Sequence, residues 1–150
     1  GILLLDSFSD FNFAMGLVFL FLGIICIITS TVFSFMLIYK LWDGIQVAKP
    51  RTTPGKAVGF LFIPLFNLYW AFQCFWGFSK DFNSYVGENN KISQINEGIP
   101  LTFCILQVCS MIPFVNILVG IPALILYIIF LSNAIDGINQ LNAYGSSPKA

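Results

Sequence analysis

Phe62-Ile63-Pro64-Leu65-Phe66-Asn67-Leu68 lies inside a stretch, 57–79, that has no charged residue. Met111-Ile112-Pro113-Phe114-Val115-Asn116-Ile117 repeats its pattern inside a second uncharged stretch, 98–135. Each copy reads Ile-Pro-x-x-Asn, and each follows an earlier proline, Pro54 or Pro100. Proline has no backbone N–H and disfavours helix in the residue before it, so the helix in progress stops there. Asparagine three residues later is a good N-cap for a new one. The motif therefore predicts helix, tight break, helix, with Pro64, Asn67, Pro113 and Asn116 at the two breaks. In hydrocarbon such a break persists only where protein or water satisfies its backbone.

Composition makes hydrocarbon the expected surrounding. Charged residues are 9% of the 150 and hydrophobic ones 57%, whereas a soluble domain carries roughly 25% charge. Seven basic and seven acidic side chains are too few to cover a soluble fold of this size. The zero net charge leaves no basic footprint for nucleic acid. Histidine is absent, which removes the commonest metal ligand and the commonest general base near neutral pH. A third uncharged stretch, 11–39, precedes the other two. A spanning helix needs about 20 apolar residues to cross roughly 30 Å of hydrocarbon. The 11–39 stretch exceeds that, 57–79 fits one span, and 98–135 has room for two. The apolar runs are continuous and show no strict alternation, which argues against a β-barrel. The expected fold is all-α: a polytopic helical membrane protein with 1–150 as a single integral domain. The first stretch does not read as a signal peptide, being too long, without a preceding basic residue, and preceded by Asp6 and Asp10. The chain begins at Gly1 and not at Met, as a processed or trimmed N-terminus would.

The basic residues set the expected orientation. All seven lie at position 40 or later, and Lys40, Lys49, Arg51 and Lys56 crowd the 40–56 connection. The positive-inside rule places that connection in the cytoplasm and the N-terminus outside. The closing segments of the stretches resemble one another. Trp42-Asp43-Gly44-Ile45 ends the first, Lys80-Asp81-Phe82-Asn83 the second, and Ile135-Asp136-Gly137-Ile138 the third. Equivalent helix ends at Asp43, Asp81 and Asp136 lie on one membrane face if each Ile-Pro-x-x-Asn is the apex of a hairpin. All basic residues are then cytoplasmic. The first arms of those hairpins are short. Pro54 to Ile63 covers about 15 Å and Pro100 to Ile112 about 20 Å as helix, so they are expected to be re-entrant or thinly spanning. The alternative is a plain four-helix span, 14–42, 57–80, 99–118 and 121–142, with Pro64 and Pro113 as kinks and Gly120-Ile121-Pro122 as the last turn. In either arrangement 81–98 reads as a polar connection, with Ile92 and Ile95 at the interface, and 143–150 as a flexible tail.

The candidate site residues each have a plain structural role. Asn67 and Asn116 are expected to cap helices, with a polar site at mid-membrane as the functional reading. Asp43, Asp81 and Asp136 are expected as solvated interface residues, although an aspartate near a helix C-terminus is electrostatically unfavourable. Thr29, Ser30, Thr31, Ser34, Gln73 and Gln107 are expected to bond between helices. Cys26, Cys74, Cys104 and Cys109 have no metal-site spacing and read as small apolar fillers. No metal or cofactor site is expected. Lys49, Arg51 and Lys56 suit anionic lipid head groups. Tyr39, Trp42, Trp76 and Tyr85 suit an interfacial belt, Trp70 does not, and the many Phe are expected to face lipid or partners. Gly55-Lys56 lacks the spacing of a phosphate loop.

Thr52-Thr53-Pro54-Gly55-Lys56 followed by Phe62-Ile63-Pro64-Leu65-Phe66-Asn67-Leu68 resembles a segment of uncharacterised bacterial multispan membrane families. These carry a Pro-Gly…Ile/Val-Pro-x-x-Asn-Leu signature, sometimes beside a small cytoplasmic adaptor domain that this chain lacks. The resemblance implies a membrane location, in a bacterial inner membrane, and brings no catalytic residue with it.

The function expected from these features is a non-catalytic accessory or structural subunit of a larger membrane protein complex, with other membrane subunits and lipids as partners. A small oligomeric channel or transporter using the two breaks is the alternative. A membrane-embedded enzyme comes third, because histidine is absent and no carboxylate pair lies within the bilayer, which leaves only the cytoplasmic aspartates.

Overall fold

A computed structural model describes residues 2–87 and 92–146, with side chains over 11–87 and 92–145. Among these residues every regular element is helical. Helix α1 runs Ile2–Gly44 and is followed by a 3-10 turn, Gln46–Ala48. Helix α2, Pro54–Gly59, continues as a 3-10 turn to Phe62. Helix α3, Phe66–Ala71, passes through a π turn, Phe72–Trp76, into α4, Gly77–Gly87. Helix α5 is Gly98–Cys109 and α6 is Val115–Ser146. Two helices, Phe11–Gly44 within α1 and Val115–Gly145 within α6, are long and apolar enough to cross a membrane.

The chain divides into two units, Gly1–Leu37 and Ile38–Ala150. The first is helix from Ile2 onward, and every side chain from 11 to 33 is exposed. Thr29 and Thr31 donate their hydroxyls to the carbonyls of Ile25 and Ile27, and Ser30 to that of Ile27. Within this chain each of these hydroxyls thus bonds a carbonyl of its own helix, three or four residues earlier.

The second unit has an aromatic core. Phe75 sits edge-on to Phe103, Tyr127 and Phe130, with centroids 5.1, 6.0 and 5.8 Å away. Phe78 extends the cluster to Phe130, Phe82 and Trp42. Such pairs add about 0.5–1.5 kcal/mol each beyond area burial. Helix α6 contributes Ala123, Phe130, Ala134, Gly137 and Leu141, a single buried stripe at helical spacing. Trp42, expected in an interfacial belt, is a core residue only 1% exposed. Phe75, Phe78, Phe82, Phe103 and Phe130 likewise face this chain's own helices and not lipid or partners.

Both predicted breaks are present, so the plain four-span alternative, with Pro64 and Pro113 as kinks, does not hold. The backbone is interrupted over 63–65 and 110–114, whereas α6 runs through 118–122 with Pro122 inside it. Other boundaries differ from expectation. Asp81 and Asp136 are not helix ends but lie within α4 and α6. Helix continues past them because Phe82 and Val86 in α4, and Leu141 in α6, are buried and keep each helix in contact with the core. Residues 81–87 are therefore helix and not connection. Ile92 and Ile95 are buried core residues and not interfacial. Residues 143–146 belong to α6, and the rest of the expected tail, 147–150, lies outside the described residues. So do Lys91 and Lys149, and the side chains of Asp6 and Asp10.

Candidate functional site

The closing segments of α1, α4 and α6 meet. A Cβ built on Gly44 would lie 2.9 Å from Ile138 Cγ2, and one on Gly137 would lie 2.6 Å from Phe82 Cζ. The repeated Asp-Gly-Ile therefore places glycine where a neighbouring helix leaves no room for a side chain. Ile45 is buried at this junction, while Asp43 and Asp136 point outward and are exposed.

Asp81 differs from the other two aspartates. Arg51 Nε and Nη2 donate to its Oδ1 at 2.9 and 2.7 Å, and the Arg51 main-chain N–H donates to Oδ2 at 2.9 Å. Arg51 Nη1 donates to Gln73 Oε1 at 2.9 Å, and Gln73 Nε2 to the Tyr69 hydroxyl at 3.1 Å. The guanidinium lies along the helix over Gly77, whose Cβ would sit 3.1 Å from Nη1. Tyr69, Gln73, Gly77 and Asp81 recur every fourth residue, a spacing that makes one helix face. That spacing is visible in the sequence, but the lack of charge over 57–79 hides its meaning until Arg51 is seen against it. Of the three basic residues assigned to lipid head groups, Arg51 is held by this ladder, and Lys49 and Lys56 are exposed. Lys80 Nζ stands 3.6 Å above the Trp76 ring.

The π turn draws two donors from other elements. A π turn disrupts the i to i−4 ladder and leaves carbonyls seeking donors. Trp42 Nε1 donates to Cys74 O at 3.2 Å, and the Cys104 thiol to Ala71 O at 3.5 Å. Within α4, the Asn83 side chain pairs with the Ile95 main chain as a strand neighbour would. Its amide donates to Ile95 O at 2.7 Å, its carbonyl accepts from Ile95 N–H at 2.8 Å, and it also donates to Glu97 at 3.1 Å. Gln140 accepts from Ser93 N–H at 3.2 Å.

The two breaks share one backbone device. Leu65 has φ 64° and Phe114 has φ 71°, each at the residue after the motif proline. At the first break Phe66 N–H donates to Pro64 O at 2.7 Å, which closes a γ-turn about Leu65, with ψ −44°. The expectation that Asn67 and Asn116 are N-caps is corrected here. Each is the second residue of its helix, and the cap of α3 is Leu65, with no side-chain cap bond. The positive-φ turn starts the new helix two residues earlier than a capping asparagine would. Asn67 is half-buried and Asn116 exposed, and no hydrogen bond joins their amides. Trp70, unexplained in the sequence, staples the first hairpin. Its Nε1–H donates to Ala57 O at 2.9 Å, and its ring meets Phe60 and Phe66 at 4.7 and 5.8 Å.

Among the described residues no group of three or more His, Cys, Asp or Glu is placed to hold a metal ion, and the four cysteines are free thiols. Comparison with protein-family models, with curated proteins and with solved structures yields no match.

Proposed function

We propose that the chain is a non-catalytic accessory subunit of a larger membrane protein complex. The observation that supports this reading is the first unit. From residue 11 to 33 helix α1 is apolar and every side chain is exposed. Such a surface suits other membrane subunits and lipid. Gly16 and Gly23 have no atom within 4 Å of a built Cβ, room that a partner helix can use for close approach. The orientation that goes with this reading places the 40–56 connection in the cytoplasm and the N-terminus outside, with the bacterial inner membrane as location.

Purification from native membranes in a mild detergent, followed by intact-mass measurement of the assembly, tests the proposal. Unrelated chains in fixed stoichiometry are expected. A homo-oligomer alone overturns it.

A further inference from the structure

We propose that the first hairpin is a re-entrant element that penetrates a single leaflet of the bilayer, with Leu65 near the midplane. The inference rests on the membrane reading above and goes beyond it by fixing how one element meets lipid.

Three independent features of the hairpin support it. The first is its height. Lys56, exposed on the ascending arm, lies eight residues before Pro64, and Gln73, bound by the Arg51 guanidinium, lies eight residues after Leu65. Eight helical residues rise about 12 Å, so charge meets both arms at the same distance from the apex. A single leaflet contributes about half of the roughly 30 Å of hydrocarbon. A hairpin about 12 Å tall, with a lysine able to snorkel at its foot, reaches the middle and stops.

The second is the backbone. Hydrocarbon tolerates an irregular turn only if its polar groups are satisfied. Ile63 N–H donates to Phe60 O, Phe66 N–H to Pro64 O, Asn67 N–H to Ile63 O and Leu68 N–H to Leu65 O. Pro64 has no N–H to satisfy. The γ-turn at Leu65 thus satisfies the donors on either side of it and leaves the Leu65 N–H, which in hydrocarbon requires a bridging water at the tip.

The third is the surface. Phe62, Ile63, Pro64, Leu65 and Phe66 are consecutive and all exposed, Leu65 at 82%. The exposure wraps the tip, where a docked helix would need one stripe. The polar side chains nearby are mostly engaged, Trp70 on Ala57 O and Tyr69 on Gln73, with the half-buried Asn67 amide as the exception. Bilayer hydrocarbon is the occupant these features fit.

The test uses the full chain with Cys26, Cys74, Cys104 and Cys109 replaced by Ser or Ala, reconstituted in phosphatidylcholine–phosphatidylglycerol vesicles. Single cysteines at Lys56→Cys, Leu65→Cys and Phe21→Cys carry a nitroxide, and accessibility to oxygen and to a water-soluble nickel chelate gives depth. The expected result is Leu65 open to oxygen and closed to nickel near the midplane, with Lys56 at the head groups. Three results at Leu65 overturn the proposal: nickel access from the face opposite Lys56, nickel access from the same face, or closure to both probes. Phe21 separates the readings. If it too is open to nickel, the membrane reading fails. If it lies in hydrocarbon while Leu65 does not, only the re-entrant hairpin fails. Should the cysteine-depleted chain not fold, brominated-lipid quenching of the natural chain and of Trp70→Phe reads the same depth. A component quenched best by mid-chain bromines, and lost with Trp70, is expected. No difference between the two chains overturns the proposal.

Discussion

Replacing Gly137 by alanine tests the junction of α4 and α6 with one carbon atom. The new Cβ would lie 2.6 Å from Phe82 Cζ and 3.1 and 3.2 Å from the two Cε atoms. Ordinary carbon contact requires about 1 Å more separation from the nearest of these. Phe82 has little freedom to yield, being 1% exposed and stacked on Phe78 with centroids 6.3 Å apart. The helices must therefore part, and overpacking of this kind costs about 1–3 kcal/mol. Alanine also favours helix over glycine by about 1 kcal/mol, so the net loss is about 0–2 kcal/mol. Gly44→Ala meets Ile138 Cγ2 at 2.9 Å and Cδ1 at 3.0 Å, a milder clash than at Gly137, and is expected to lose less. Gly16→Ala and Gly23→Ala meet nothing within 4 Å and are expected to stabilise by the full propensity gain. Thermal unfolding in one detergent should order the variants Gly137→Ala lowest, then Gly44→Ala, then Gly16→Ala. Combining Gly137→Ala with Phe82→Leu should recover part of the loss in a double-mutant cycle. If Gly137→Ala is stabilised as much as Gly16→Ala, the close approach of α4 and α6 is refuted.

Other perturbations address the remaining contacts. Arg51→Ala and Asp81→Asn should each lower stability by about 1–2 kcal/mol, discounted because the pair is partly exposed, and the double variant should lose little more than either alone in chemical unfolding. Asn83→Ala removes its hydrogen bonds to Ile95 and Glu97 and should cost about 1–3 kcal/mol, with faster hydrogen exchange at the Ile95 amide as its local sign. Leu65→Gly relieves a left-handed φ that costs a leucine about 1–3 kcal/mol and should raise the unfolding temperature, whereas Leu65→Val, β-branched at the same φ, should lower it. Asn67→Leu combined with Asn116→Leu should leave the fold and any liposome flux unchanged, because neither amide caps a helix. Abolished flux with an intact fold would favour the channel reading.

The breaks at Pro64 and Pro113 are legible in the sequence because proline acts locally, removing an N–H and disfavouring helix before it, although α6 continues through Pro122. The way the chain re-enters helix after each break is harder to read. Asparagine caps a helix that starts from extended backbone, but here Leu65 takes a left-handed turn and α3 begins at Phe66. Only the closed γ-turn tells these two outcomes apart. The meeting of the chain's closing segments is foreshadowed by Asp-Gly-Ile, yet the glycine carries that geometry and the aspartates at 43 and 136 do not. Helix boundaries past Asp81 and Asp136 depend on Phe82, Val86 and Leu141 being buried, which is a tertiary fact. Trp42 shows the same limit, since an aromatic at a span end looks interfacial until a π turn later in the chain offers it a carbonyl. The Arg51 ladder is within reach of sequence reading, because a four-residue period of polar and small side chains is visible without coordinates.

Site-specific photo-crosslinking along α1 in native membranes tests the accessory-subunit reading most directly. A photoreactive residue placed in turn at positions 16–26 should give adducts to an unrelated membrane protein at positions recurring with helical period, and lipid adducts elsewhere. Lipid adducts at every position, or protein adducts only to a second copy of this chain, would contradict it.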